Sequence, residues 1–121
     1  MSHRLRLRSA ISPVPDLARA RAWYTEWLGI EPYFDESFYV GFDLNGFELG
    51  LHPESPDHRA GRSGAVAYWK VTDLDAEWAR LLQIGATALS SPRDVGGGVR
   101  VAQVQDPFGN AIGVIEERGQ A

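Results

Sequence analysis

The stretch FELGLHPE, Phe47 to Glu54, sets a carboxylate and an imidazole four residues apart. In an extended chain side chains alternate, so Glu48, Gly50 and His52 share one face and Phe47, Leu49 and Leu51 the other. The polar face meets either water or a cavity. In a cavity Glu48 is a candidate base, because burial raises a carboxyl pKa. His52 there would hydrogen-bond a ligand or titrate near neutral pH. These two residues are the catalytic candidates. Arg100, just after the flexible DVGGG, is either exposed or able to reach an anionic ligand group. Gly96 to Gly98 lack the preceding strand and following helix of a phosphate-binding loop, so a loop is expected there, a candidate lid. His3, His52 and His58 fall in a terminus, a strand end and a linker, which leaves no defensible Ser-His-Asp set.

The elements that must position these groups fit one domain, residues 1–121, large enough to bury a core unaided. There is no cysteine, so disulfides and thiolate ligands are excluded and a cytoplasmic setting is expected. No apolar run is long enough to span a membrane. MSHRLRLRSAIS has basic residues without a following apolar stretch, so it does not read as a signal peptide. A net charge of −4 disfavours a nucleic-acid role. Arg4, Arg6 and Arg8 alternate with Leu5 and Leu7, which fits the exposed face of a strand better than a phosphate patch.

The chain repeats itself. DLARARAWYTEWLG, from Asp16, returns as DLDAEWARLLQIG, from Asp73. Each opens on Asp-Leu, carries apolar residues at helical spacing and stops at glycine. Thr72 with Asp75 resembles a capping box. Strands are expected before each helix, at about 4–11 and 65–71. Three more follow each helix: about 31–34, 38–44 and 47–52, then about 87–89, 99–105 and 111–116. DLNG reads as a hairpin turn. The organisation is βαβββ twice, about 4–52 and 64–117, joined by a Pro- and Gly-rich linker at 53–63. In DPFGN the Asp106 carboxylate is expected to build the turn by accepting backbone N–H groups, with Gly109 left-handed.

A tandem βαβββ pair carrying PVPDLARARAWYTEWLGI, YWKVTDLDAEWARLLQIGA and VAQVQDPFGNAIGVIE resembles the vicinal oxygen chelate superfamily of glyoxalases, bleomycin-resistance proteins and dioxygenases. The resemblance covers nearly the whole chain and implies an α+β fold whose sheets curl around a cavity. In metal-dependent members the first and fourth strands of each module each supply a ligand to a divalent ion, which needs about three protein ligands. Carried over singly, those positions fall on Ser9, on Glu48 with His52 nearby, on Val66 and on Gly113. Only Glu48 suits a metal, so no metal and no other cofactor is expected.

The same resemblance turns Tyr68 and Lys70 toward the cavity and puts Tyr39, Phe42 and Phe108 at its mouth. Trp23, Trp27, Trp69 and Trp78 are read as mostly core. Aromatic walls with a few polar groups suit flat, largely apolar molecules. The expected ligand-binding set is Tyr39, Glu48, His52, Tyr68, Arg100 and Phe108. The expected function is metal-free binding of a small aromatic or amphipathic molecule by a bleomycin-resistance-like homodimer. The alternative is a lyase, isomerase or dioxygenase-type enzyme, either metal-independent with Glu48 or His52 as base or with a metal site at other residues.

Overall fold

Two aspartates start the two helices. Asp16 is extended (φ −140°) and its carboxylate accepts the Arg19 N–H at 3.1 Å, launching α1, Leu17–Leu28. Asp73 does the same for Ala76, also at 3.1 Å, launching α2, Leu74–Gln83. The cap expected from Thr72 and Asp75 is therefore displaced by one residue, because the Asp73 carboxylate itself reaches the free amide. Gly29, left-handed at φ 71°, ends α1.

The computed structural model describes residues 7–118; His3, Arg4 and Arg6 lie outside the described residues. The order is β1 (Ser9–Val14), α1, β2 (Phe34–Glu36), β3 (Tyr39–Leu44), β4 (Phe47–Pro53), then β5 (Tyr68–Lys70), α2, β6 (Thr87–Gly96), β7 (Val99–Gln105) and β8 (Ala111–Glu117). This is an α+β fold of two βαβββ modules. The sheets run β1-β4-β3-β2 and β5-β8-β7-β6, and the chain forms two compact units that meet in sequence at Ala60 and Gly61. Among the described residues no helix is long and apolar enough to cross a membrane.

In the first unit Val40 pairs with Leu51 and Phe42 with Leu49, and all four are buried on the face that carries α1 with its Ala20, Trp23 and Tyr24. Phe42 is therefore core, not the rim of a cavity; a fully buried phenylalanine contributes about 3–5 kcal/mol against alanine. In the second unit Ala102, Val104, Ile112 and Val114 make the matching face against Leu74 and Leu81 of α2. Of the four tryptophans only Trp23 is buried; Trp27, Trp69 and Trp78 are half-buried.

Several strand bounds differ from expectation because the partner strand sets them. β1 starts at Ser9 and runs through Pro13 to Val14, in parallel register with β4. Pro13 is tolerated because β1 is an edge strand. β5 is only Tyr68–Lys70, the stretch that β8 pairs. β2 lies at Phe34–Glu36, after the expected position. β6 extends to Gly96 instead of ending at Leu89, crossing Pro92 with three register shifts along an outer edge. Gly96 pairs with Val99, so Gly97 and Gly98 (φ 66° and 78°) form a two-residue hairpin turn. The loop expected at Gly96 to Gly98 is thus the tip of a hairpin, with Gly96 itself in β6.

Candidate functional site

Cross-strand register assembles a buried carboxylate on the first sheet, on the face away from α1. Ser9 pairs with Glu48 and Gly41 with Gly50, while Phe34 pairs with Gly41 and Glu36 with Tyr39. Glu48 is 7% exposed. Its Oε1 accepts the Ser9 hydroxyl at 2.8 Å and the Tyr39 hydroxyl at 2.7 Å; its Oε2 accepts the Tyr33 hydroxyl at 2.5 Å. Arg8 donates to the Tyr33 oxygen at 3.2 Å and to the Gly46 carbonyl at 2.9 Å. It thus holds the tyrosine and the DLNG turn, where Asn45 and Gly46 have φ 57° and 90°. Arg8 is not merely a surface residue of a strand.

Two strand-interior glycines make the room. A Cβ on Gly41 would stand 2.7 Å from Glu48 Oε2 and 3.2 Å from the Tyr33 ring. A Cβ on Gly50 would collide with the hydroxyl end of Tyr39, 2.6 Å from its Cζ. Glycine inside a strand marks close approach, and here it is the approach of these side chains.

Electrostatics follow from the donors. Burial alone pushes the Glu48 carboxyl up, but the hydrogen bonds from Tyr33, Tyr39 and Ser9, with the Arg8 charge, hold it below the ordinary carboxylate range. A base with a raised pKa is therefore not what this site contains. The Tyr39 phenol is pushed well above its usual range by burial and by the bond to Glu48. Tyr33 is raised chiefly by its bond to Glu48. The site is an ionised carboxylate under two neutral phenols.

Of the expected ligand-binding residues, the structure joins Tyr39 and Glu48 directly. His52 shares their sheet face but sits at the strand end, its Nδ1 2.8 Å from the Pro53 carbonyl and its ring 5.9 Å from that of His58. Tyr68, Arg100 and Phe108 belong to the second unit. There the Tyr68 ring lies over Gly113, its strand partner, at 2.6 Å from where a Cβ would stand, and its hydroxyl accepts from Gln103 Nε2 at 2.6 Å. Arg100 pairs in register with Glu116, on the α2 side of the sheet, and forms a bidentate pair with Asp75 at 2.9 and 3.1 Å. Lys70 pairs with Glu117. Phe108 is buried in its turn, where Asp106 accepts the Phe108 and Asn110 N–H groups, each at 2.9 Å, with Gly109 at φ 100°. Asp106 builds the turn as expected. Sequence reasoning missed Tyr33 as a partner; glycines at alternate-strand positions 41 and 50 were the available signal.

The donors do not fit a divalent ion. In the first unit Ser9 already bonds to Glu48, whose two oxygens carry three hydroxyls. In the second, Val66 precedes β5 and Gly113 lies beneath Tyr68. Among the described residues no group of three or more His, Cys, Asp or Glu could hold a metal.

Known proteins share this architecture. A solved structure from Agrobacterium tumefaciens, 22% identical, matches with a TM-score of 0.81 over 95% of this chain and 99% of its own. A glyoxalase/bleomycin resistance protein from Catenulispora acidiphila is 29% identical, with a TM-score of 0.69 over 93% of this chain and all of its own, 100%. An uncharacterized protein of Mycobacterium bovis is 30% identical over 88% of this chain and 82% of its own. The fold is that of the glyoxalase-like proteins. Residues 6–114 match the Glyoxalase/Bleomycin resistance protein/Dioxygenase superfamily, and the chain belongs to it.

Proposed function

We propose that this chain is a metal-free, bleomycin-resistance-like binding protein for a small aromatic or amphipathic molecule, and that the molecule docks at Glu48. The buried carboxylate under Tyr33 and Tyr39 carries this reading. Its face combines one fixed polar group with aromatic side chains, Phe34 and Phe38 lying beside Tyr39 with ring centroids 6.0 Å apart in each pair with Phe34. That composition orients a flat ligand and buries its apolar part. Catalysis with Glu48 as base fits less well, since a carboxylate held below its ordinary pKa takes up protons weakly.

The setting we propose is cytoplasmic, and the assembly a homodimer. The short outer strand β2 carries exposed aromatics, Tyr33 at 54% and Phe38 at 64% exposed nearby, and such rims are normally covered. Purification without chelators followed by elemental analysis tests the metal-free reading, and stoichiometric zinc, nickel, manganese or iron would overturn it. Mass spectrometry of molecules released from the native protein should identify an aromatic or amphipathic compound. Light scattering at micromolar concentration should give twice 13.4 kDa; a monomer would remove the dimer.

A further inference from the structure

We propose that the molecule taken at Glu48 carries a protonated amine on a flat apolar body. The inference rests on the small-molecule reading above and names the chemical class that the site selects.

Glu48 is a charge out of water whose partners are all neutral hydroxyls. None of the ion pairs among the described residues includes it. The cation in its network, Arg8, hydrogen-bonds to the Tyr33 oxygen and forms no ion pair with the carboxylate. A carboxylate oxygen has two acceptor directions. Oε1 fills both with Ser9 and Tyr39, whereas Oε2 takes only Tyr33 and retains one.

Glu48 and Gly41 are both buried with the Tyr33 ring against Gly41, so a ligand takes up the open direction by displacing Tyr33. Oε2 is the oxygen that a side chain at position 41 would strike, so on that side Gly41 presents no side chain of its own to it. Tyr33, its single hydroxyl partner, is 54% exposed, so the group that must yield to the ligand stands at the surface. Phe34 pairs across to Gly41 and stacks edge-on toward Tyr39 and Phe38, giving a wall for a ring next to that oxygen. An ammonium placed there gains a charge-assisted hydrogen bond and attraction to the tyrosine faces. A carboxylate ligand would be repelled, and a neutral alcohol would gain only an ordinary hydrogen bond.

Titrating 15N-labelled protein at neutral pH and low salt with 2-phenylethylamine, 2-phenylethanol and 3-phenylpropionate, and following the Gly41 and Gly50 amides, tests this. The amine should bind about tenfold more tightly than the alcohol or better, the acid most weakly, and added salt should erode only the amine's advantage. Glu48→Gln should bring amine and alcohol together, provided its spectrum remains dispersed. Tyr33→Phe, which keeps the ring and removes the competing hydroxyl, should strengthen amine binding if the first variant unfolds. Equal binding of amine and alcohol, or preference for the acid, overturns the amine inference and leaves small-molecule binding standing. Shifts from none of the three overturn both.

Discussion

The two units use the same plan and bury a glutamate each, for opposite ends. Glu116 of the second unit is 2% exposed and faces the helix, where its Oε1 accepts the Leu74 N–H at 2.7 Å and its Oε2 meets Arg118. It fixes β8 to the first turn of α2. Glu48 of the first unit faces away from the helix, and every donor it holds is a side-chain hydroxyl. The same rows of the two sheets show the contrast again. Ile11, Gly50, Gly41 and Phe34 are successive partners in one; Tyr68, Gly113, Gln103 and Ser90 are in the other. The first row leaves space for a charged cluster, while in the second the Tyr68 ring closes over the glycine. A carboxylate bonded to a helix amide is architecture. One bonded only to side-chain hydroxyls is the recognition site we propose.

Transplanting the carboxylate breaks the comparison most severely. Gly113→Glu forces a Cβ into the Tyr68 ring and a charge beneath it, and should destabilise by about 3 kcal/mol in chemical denaturation. Adding Tyr68→Ala should recover most of that loss if the ring is the obstacle. Gly50→Ala in the first unit should cost about 2 kcal/mol by expelling Tyr39, and should shift the Glu48 carboxyl resonance as a donor is lost.

Tyr39→Phe removes one hydrogen bond and should cost about 1 kcal/mol. It also sharpens the pH behaviour. Folding lowers the Glu48 pKa, so its bonds stabilise the native state above the ordinary carboxylate range and are lost as pH falls through the folded value. In the variant the Glu48 titration, followed by 13C NMR, should move upward toward the ordinary range, and acid unfolding should lose part of its steepness. An unchanged titration would mean that Tyr39 does not support the charge. The smallest effect belongs to Arg100→Ala, whose exposed pair with Asp75 is screened by solvent; melting temperature and the Glu48 titration should both stay where they are.

The double βαβββ plan was legible because helices, glycine stops and turn residues declare themselves within a few positions. Asp106 could likewise be assigned from its own pentapeptide. The partnership at Glu48 could not, because Ser9 precedes it by 39 residues and Tyr33 by 15, and only sheet register unites them. Arg100 was read as following a flexible loop, whereas its pairing with Glu116 turns it to the helix side. The direction of the Glu48 pKa depended on the same missing neighbours: burial is foreseeable from an alternating strand, but the hydroxyls that outweigh it are not.

The outermost strand of the second sheet, β6, is long, yet it breaks register three times and carries Pro92. A second chain can extend a sheet only against an evenly spaced ladder of amides and carbonyls. β6 presents an interrupted one, so stacking of copies into a growing fibril has no template there. The irregularity of β6 thus closes its edge of the second sheet to an added strand.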